Sequence, residues 1–287
     1  MRGLLIVNSF LKTEKFSDIY ARLASSFENL GVELSLCGNA NFAHAVGSSL
    51  PLFENPDFVL FWDKDILLAR EFEEAGIPDF NSSRAIEICD DKRKMHLALT
   101  GLPMPETFVA PMTFPNIGFT DLSFFDAIEE KLSYPMIIKE AFGSFGAQVY
   151  LANDREEALE IIKRCESVPL IFQKFIKESA GRDIRINVVG HKVVSAMERR
   201  SDSDFRSNVT LGGKTLPYTP TDSEIALAEE ASRRLGLDFG GIDILFGECG
   251  PLLCEVNSNT HFKSTYDCTG INLADLIAEH ITKKVVK

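Results

Sequence analysis

The sequence predicts an α/β protein, α+β overall, in which a parallel α/β domain precedes a region rich in antiparallel hairpins. Two observations lead to this prediction. Short apolar runs alternate with amphipathic helical stretches as far as residue 88, a pattern typical of parallel β-α-β units. From Pro169 onward, strand-like runs follow one another at hairpin spacing. A chain of 287 residues, 45% of them hydrophobic, can bury a substantial core.

The first region contains three candidate strands and a helix. The apolar runs Leu4–Val7, Val32–Leu36 and Phe58–Trp62 have the length and composition of buried parallel strands. Ile19–Leu30 is an amphipathic stretch that ends at Gly31, a residue typical of helix termini. No G-x-G-x-x-G motif follows the first strand, so the dinucleotide-binding fingerprint is absent.

The second region begins at Asp90, where the composition changes. Asp90–Leu99 is predicted as one charged helix that Gly101 closes. Further helices are predicted over residues 124–132, 155–165, 222–235 and 273–285. Strands are predicted over residues 134–139, 148–151, 170–176, 184–189, 193–197, 241–246 and 252–256.

The composition argues against several classes of function. A net charge of -12 and a pI near 5.0 are unfavourable for general nucleic-acid binding, which needs a surplus of Lys and Arg. Six cysteines without a C-x-x-C pair indicate a reducing compartment. The N-terminus lacks a signal-peptide pattern, and no run approaches the roughly 20 apolar residues of a membrane helix. We therefore expect a cytoplasmic protein that binds neither nucleic acid nor a membrane.

The sharpest motif is a late hairpin that carries Asp243, Glu255 and Asn257. Strand alternation places Glu255 and Asn257 on one face and Cys254 on the other. A loop over residues 247–251 would place Asp243 directly opposite Glu255. Two carboxylates and an amide offer hard oxygen ligands, which suit Mg²⁺ or Mn²⁺ together with phosphate oxygens. The alternative is an edge hairpin whose polar face is solvated.

Two further segments carry groups suited to phosphate. Lys139 ends an apolar strand, and a turn with two glycines follows it, as in a loop that closes over a polyphosphate. Arg185, Arg199 and Arg200 lie on a second hairpin, where arginine can hold phosphate oxygens. Between residues 160 and 215, 11 Lys and Arg stand against 7 Asp and Glu, so an acidic chain contains a basic segment. Taken singly, these features also fit an ordinary loop and surface ion pairs.

The order of these motifs resembles the ATP-grasp superfamily and, more narrowly, the RimK-type amino-acid (glutamate) ligases. The resemblance covers residues 89 to 285 and rests on the turn after Lys139, on Asp204-Phe-Arg-Ser-Asn208 and on the Glu255-Val-Asn257 hairpin. It implies an ATP-grasp fold in which two α+β lobes enclose the nucleotide. The implied domains are an N-terminal α/β domain (1–88), a central lobe with the Gly-rich loop (89–170) and a C-terminal lobe with the metal site (171–287).

The resemblance also implies a role for each motif residue. Residues matching the ATP-binding positions are Lys92, Lys139, Gly143, Ser144, Phe145, Gly146, Gln173, Lys174, Phe175, Ile176, Asp183, Arg206, Ser207 and Asn208. Asp243, Glu255 and Asn257 match the ligands of two Mg²⁺ or Mn²⁺ ions, with Glu255 bridging them. Arg185, Arg199 and Arg200 match catalytic positions that face an acyl phosphate or a substrate carboxylate.

The activity implied by the resemblance is ATP-dependent amide formation through an acyl phosphate, adding glutamate or a related amino acid to an acceptor carboxylate. The acceptor would be a small molecule, a peptide or a carrier-protein tail, and the enzyme a homo-oligomer, a dimer or tetramer.

Two positions depart from the RimK pattern. Lys174 replaces a usual Glu, and the segment after the hairpin is similar to LysX, which joins α-aminoadipate to an amino-carrier protein. In that segment Asn259, Phe262 and Lys263 are the expected substrate residues, whereas a lone loop histidine such as His261 is more often a packing or surface residue. The alternatives left open are a LysX-like ligase and an ATP-binding module without catalysis.

Overall fold

The first sheet contains the three predicted strands and one short additional strand. The computed structural model describes residues 1–52 and 55–286, except for the side chain of Leu211. Strands β1 (Arg2–Val7), β2 (Glu33–Gly38), β3 (Phe58–Trp62) and β4 (Asp79–Phe80) are all parallel, in the order β2-β1-β3-β4. All five residues of β3 are buried because helices cover both faces of the sheet, as the continuous apolar run predicts.

Two helices connect the strands of this sheet. Helix α1 (Glu14–Glu28) begins five residues before the predicted Ile19, with Thr13 in extended conformation at its N-cap. Helix α2 (Ile66–Glu74) begins at Asp65, whose carboxylate accepts a hydrogen bond from the Leu68 backbone N–H. The earlier start of α1 places the side chains of its first turn beside the carboxyl ends of the parallel strands, where α/β proteins bind ligands.

The predicted single helix Asp90–Leu99 is wrong, because two helices occupy this region. Helix α3 (Ser83–Asp90) and helix α4 (Lys92–Ala98) are separated by Asp91, which has an extended backbone (φ -103°, ψ 107°). The Asp91 carboxylate caps α4 by accepting a hydrogen bond from the Arg93 backbone N–H at 2.9 Å. A polar residue that can cap a helix thus interrupts the charged run, and the break turns Lys92 inward, where it is buried.

The second sheet is antiparallel, with the order β5-β8-β6-β7. Its strands are β5 (Thr107–Val109), β6 (Met136–Glu140), β7 (Val149–Ala152) and β8 (Leu170–Lys174). Helices α5 (Ser123–Leu132) and α6 (Arg155–Cys165) pack on one face and form a Phe-rich core with it. Strand β8 pairs with β6 as far as Lys174, so the second sheet extends beyond residue 170. The domain boundaries stay a prediction.

The third sheet supplies the centre of the molecule, with the order β11-β10-β9-β12-β13. Its strands are β9 (Arg182–Val189), β10 (Lys192–Arg200), β11 (Lys214–Pro217), β12 (Phe239–Gly247) and β13 (Gly250–Asn257). The helices that follow are α7 (Asp222–Leu235), α8 (Lys263–Thr269) and α9 (Leu273–Val285). One face of the sheet packs on α7, α3 and α4 through apolar side chains, which leaves its polar face toward a cleft.

The helices are amphipathic and short. Helix α1 has 15 residues, α7 has 14 and α9 has 13, and each buries one apolar stripe against a sheet or a neighbouring helix. Within the described ranges, no helix has the length and apolar character needed to span a membrane.

Candidate active site between the three sheets

A single cavity of about 1020 Å³ lies where the three sheets face one another. Nearly all residues predicted from the sequence line it. These are Lys92, Lys139, Gly143, Ser144, Phe145, Gly146, Gln173, Lys174, Phe175, Ile176, Asp183, Arg185, Arg199, Arg206, Ser207, Asn208, Asp243, Glu255, Asn257, Asn259 and Lys263. The structure therefore brings together segments that are up to 171 residues apart in the chain, from Lys92 to Lys263.

The β12–β13 hairpin pairs Asp243 with Glu255, as the sequence predicts. The turn itself differs from the predicted five-residue loop, because Gly247 already pairs with Gly250. Such a tight turn alone would place Cys254 opposite Asp243. A β-bulge after Asp243 inserts one extra residue into β13 and restores the pairing with Glu255.

The bulge also decides the orientation of Cys254, which strand alternation predicts to lie on the face opposite Glu255. Cys254 instead lines the cavity, with its Sγ 3.6 Å from the Nζ of Lys139. Val256, the next residue in the alternation, is fully buried in the core behind the sheet. The predicted face of Cys254 is therefore wrong, because a bulge breaks the two-residue period at that point.

A buried cluster of two arginines and two aspartates forms the centre of the third sheet. Arg199 donates two hydrogen bonds to the Asp183 carboxylate, at 2.7 and 2.6 Å, and lies 3.1 Å from Oδ1 of Asp243. Arg185 donates to both oxygens of Asp243, from Nε and, at 2.9 Å, from Nη2. Burial alone would raise the pKa of Asp243, but the two guanidinium groups outweigh it and lower this pKa. Asp243 is thus ionised, and the guanidinium groups hold both carboxylates in fixed positions.

The two predicted lysines project into the cavity from different elements. Lys92 Nζ lies 3.6 Å from Glu255 Oε1 and 3.5 Å from the carbonyl oxygen of Gly143. Lys139 projects from β6, and both ammonium groups are buried. Burial, then Lys139 and Lys92, lower the pKa of nearby His96 to about 4, so its ring is neutral at physiological pH. The lysines therefore create a strongly positive environment beside the hairpin carboxylates.

The segment that ends β8 forms a second wall of the cavity. Gln173 is buried, and its Nε2 donates a hydrogen bond to Oγ1 of Thr107 at 2.9 Å. The Lys174 side chain is exposed, while its backbone N–H donates to the Glu106 carbonyl. Phe175 and Ile176 add apolar surface. An apolar wall beside a buried amide suits an aromatic base.

The Gly-rich loop between β6 and β7 is held from two sides. Arg206 Nη1 donates to the carbonyl oxygens of Gly146 at 2.7 Å and Val149 at 3.3 Å. On the other side, the ammonium of Lys15 lies 4.1 Å from the centre of the Phe145 ring. Phe145 has a positive φ of 59°, a conformation unusual for a residue with a side chain. The loop thus covers the cavity while contacting helix α1 and the segment between β10 and β11.

Two predicted residues lie away from the cavity. Arg200 pairs with Glu198 on the exposed end of β10, since alternation along the strand directs it away from Arg199. Phe262, predicted to contact substrate, is fully buried in the core, with its ring 5.9 Å from that of Trp62. Its neighbours Asn259 and Lys263 do line the cavity.

The hairpin oxygens fit a divalent cation that is bound together with a nucleotide. In the described residues, no group of three or more His, Cys, Asp or Glu side chains is placed to hold a metal by itself. Asp243 shares its oxygens with two arginines, and within the described ranges Lys92 is the one ionic partner of Glu255. Asn257 lines the cavity and can add an amide oxygen. This is the incomplete ligand set that Mg²⁺ completes with phosphate oxygens and water.

Sequence reasoning missed the wall that the first sheet contributes. Asn8 follows β1, and Asp63 and Lys64 follow β3, so all three stand at the carboxyl edge of the parallel sheet. Lys15 lies in the first turn of α1, which was predicted to start later. Polar residues directly after buried parallel strands were the available signal, because ligands of α/β proteins bind at that edge.

Comparison with known proteins places the chain in a family. Residues 109–281 match a family model described as a RimK-like ATP-grasp domain. The chain is 35% identical over 223 residues to N-acetylaspartylglutamate synthase A of Homo sapiens, which covers 76% of this chain and 56% of that protein. It is 37% identical over 223 residues to a probable alpha-L-glutamate ligase of Parasynechococcus marenigrum, which covers 76% and 46%. The matched region thus spans about half the length of these curated relatives.

Solved structures agree with this assignment at the level of the fold. A RimK domain protein ATP-grasp from Sphaerobacter thermophilus has a TM-score of 0.75 at 22% identity, covering 98% of this chain and 99% of that one. The ATP-grasp ligase PsnB, complexed with a precursor variant, Mg and ADP, has a TM-score of 0.73 at 17% identity, covering 98% of both chains. The predicted ATP-grasp fold is confirmed, and the protein belongs to the RimK-like ATP-grasp family.

Proposed function

We propose that this protein is an ATP-dependent carboxylate–amine ligase that forms an amide bond through an acyl phosphate and releases ADP. The observation that carries the proposal is the single cavity in which hairpin oxygen donors, two buried lysines and an arginine pair converge. These groups suit a reaction in which negative charge moves between phosphate and carboxylate oxygens. Family membership supports the same class of chemistry.

The proposed reaction has two steps that the same cavity accommodates. A carboxylate oxygen of the acceptor attacks the γ-phosphorus of ATP, and the bond to the β–γ bridging oxygen breaks to leave ADP. An amine then attacks the acyl carbon, the bond to the phosphate oxygen breaks, and the nitrogen loses a proton as phosphate departs. The protein positions the reactants and compensates their charge, so no covalent nucleophile such as Cys254 is needed.

Within this scheme, each lining segment has a proposed role. Gln173 to Ile176 would border the adenine, Asp183 the ribose, and Arg206 to Asn208 with the Gly-rich loop the phosphates. Lys92 and Lys139 would hold phosphate oxygens, while Arg185 and Arg199 would face the transferred group. Arg200, being exposed, has no part in this proposal.

Asp243, Glu255 and Asn257 would hold Mg²⁺, and we extend the proposal to two ions, Mg²⁺ or Mn²⁺, bridged by Glu255. Bound there, the cation would neutralise charge on the phosphate oxygens. The Mg and ADP present with the structurally similar PsnB support this choice of ligands. The Asp243–Glu255 pairing supports a shared site, because it brings the two carboxylates together on one sheet.

For the substrates, we propose that glutamate or a related amino acid is joined to an acceptor carboxylate. The names of both curated relatives refer to glutamate. The second candidate is a LysX-like ligase acting on a carrier-protein tail, suggested by the segment after the hairpin. That candidate is weakened because Phe262 belongs to the core and Lys263 is paired with Asp267 at 2.9 Å.

A screen of ADP release with ATP, Mg²⁺ and paired amines and acids tests the ligase proposal. We expect a pair containing an amino acid to stimulate release and to give a condensed product by mass spectrometry. Small-molecule acceptors and carrier-protein tails are compared in parallel to separate the two ligase candidates. Nucleotide binding without stimulation by any pair would favour the non-catalytic module.

A further inference from the structure

The first sheet and helix α1 line one end of the cavity, and this end has its own pattern of charges. Its charged and polar lining residues are Asn8, Glu14, Lys15, Asp18, Asp63, Lys64, Asp90, Ser258, Asn259, His261, Lys263, Ser264 and Asp267. Several of these charges are matched by ion pairs: Asp18 with Arg22, Lys64 with Asp90, and Lys263 with Asp267. Among the described residues of this end, Lys15, Asp63 and the exposed Glu14 have no group of opposite charge within 4.0 Å. One half-buried cation and one buried anion, Lys15 and Asp63, therefore remain for a ligand.

Asp63 is a buried carboxylate that lacks a cation. It accepts the Lys64 backbone N–H at 2.7 Å and only long hydrogen bonds from Asn8 Nδ2, at 3.3 and 3.4 Å. Burial raises the pKa of Asp63, which reflects the cost of keeping this charge away from water. A cationic group placed here would remove that cost.

Lys15 is the complementary case on helix α1. Its ammonium lies over the Phe145 ring, which stabilises the charge weakly and is not an anionic hydrogen-bond acceptor. Partial burial lowers the pKa of Lys15. The ammonium retains three donors, and a carboxylate is the group that satisfies them best.

The segment from Asn259 to His261 lies between Lys15 and Asp63. Asn259 Nδ2 donates to the Asp63 carbonyl at 2.7 Å, and the His261 ring packs edge-on against that of Phe16, the residue after Lys15. Oδ1 of Asn259 and Nε2 of His261 are buried without a partner among the described residues. The segment between the two charges thus has two polar atoms whose hydrogen-bonding capacity is unused.

We propose that Lys15 and Asp63 form an amino-acid subsite, in which the Lys15 ammonium binds the α-carboxylate and the Asp63 carboxylate binds the α-ammonium group of a zwitterionic substrate. The opposite charges select a ligand that carries both groups and disfavour one in which either group is blocked. This subsite rests on the proposed ligase function for its place in the reaction, whereas its binding preference can be measured without turnover.

Calorimetric titration of the full chain in saturating Mg·ADP tests the subsite. The probes are the common L-amino acids, beginning with L-glutamate, and the N-acetyl and α-amide derivatives of the best binder. We expect the free amino acid to bind about 10- to 100-fold more tightly than either derivative, since each loses one charge-assisted contact. Failure of every free amino acid to bind, or equal binding of a blocked derivative, overturns the subsite.

Two variants assign each charge to its residue. Lys15→Gln should weaken binding of the free amino acid about 10- to 100-fold, but binding of the α-amide, which has no α-carboxylate, much less. Asp63→Asn should weaken binding of the free amino acid by a similar factor, but binding of the N-acetyl derivative much less. Lys12→Gln and Asp202→Asn, both at exposed positions outside the cavity, should leave all affinities unchanged. An ADP affinity within about fivefold of the parent shows that the variants are folded, since Lys15→Gln also loses the contact with the Phe145 ring. Amino-acid affinities within about twofold of the parent contradict the assignment.

The outcomes of this test and of the ligase screen can be told apart. If amino acids bind with the expected pattern and no amine–acid pair stimulates ADP release, the ligase proposal fails and the subsite stands. If pairs stimulate ADP release and Lys15→Gln and Asp63→Asn leave the KM of the amino acid unchanged, the subsite fails and the ligase proposal stands.

Discussion

The two ends of the cavity are built in different ways. At the nucleotide end, the central charges stand on paired strands, and each arginine is held by a carboxylate on the neighbouring strand. At the other end, Asn8, Asp63 and Lys15 come from loops and a helix start, and neither Lys15 nor Asp63 has an ion pair with any described residue. The first arrangement keeps the reacting geometry rigid. The second leaves charge available, which suits a surface that selects a substrate.

The largest expected effect concerns the hairpin at the nucleotide end. Glu255→Gln should lower the rate of ADP release about 1,000-fold or more, because the variant loses the charge proposed to hold the cation and leaves Lys92 without its carboxylate. Steady-state kinetics with ATP and Mg²⁺ measure this change. Glu248→Gln, in the exposed turn of the same hairpin, is the matched control. Turnover near that of the parent would refute the metal assignment.

The rigidity of the nucleotide end can be tested through its ion pairs. Arg199→Ala should lower the free energy of unfolding by about 3–5 kcal/mol, because Asp183 then loses its guanidinium partner and the buried Asp243 keeps only Arg185. Arg200→Ala, next along the strand and exposed, should leave the free energy of unfolding close to that of the parent. Urea denaturation measures both. Equal losses in the two variants would mean that the buried cluster is not a stabilising framework.

Strand β4 of the first sheet contains a carboxylate that opposes folding at neutral pH. Both oxygens of Asp79 are buried with no hydrogen-bond partner among the described residues, and burial, then Glu73 and Asp238, raise its pKa to about 9. In the unfolded chain this carboxyl has a pKa of ~3.9. Its contribution to the stability of the folded state is therefore complete below that pH and is lost as the pH rises toward 9.

The free energy of unfolding of Asp79→Asn minus that of the parent should therefore increase by roughly 2–4 kcal/mol from pH 5 to pH 8. The difference between the two unfolding free energies, measured in urea at both pH values, gives this gain. Glu74→Gln, at an exposed site of the same domain, should show no such change with pH. A flat difference for Asp79→Asn would mean that this carboxyl is solvated in the folded protein.

The smallest expected effect concerns the contact that joins the two ends. Phe145→Leu keeps an apolar side chain on the Gly-rich loop and loses the ring face beneath Lys15, which costs about 0.5–1 kcal/mol. ATP should bind about 2- to 5-fold more weakly, as calorimetry would measure. Phe114→Leu, at an exposed position outside the cavity, should bind ATP as the parent does. Unchanged affinity in both variants would show that this contact does not hold the loop.

Much of the site was predictable because it follows periodic rules. The apolar strand Phe58–Trp62 and helices 155–165, 222–235 and 273–285 have the predicted boundaries, since hydrophobic period and caps define them locally. The Asp243–Glu255 pairing was also predictable, although it is reached through a tighter turn and a bulge. The side on which Cys254 lies was not, because a bulge has no signature in a single sequence.

The sequence by itself determined the order of the phosphate-binding, arginine and oxygen-donor segments, because residue types and their spacing can be read directly from it. That order also identified the family. Only the tertiary structure decided which of these residues meet. It turned Lys92 inward at the break after α3, sent Arg200 outward and Phe262 into the core, and brought Lys15 and Asp63 to the far end of the cavity. The physical reason is that strand faces and register follow local periodicity, whereas loops from distant segments meet only where packing of the sheets brings them together.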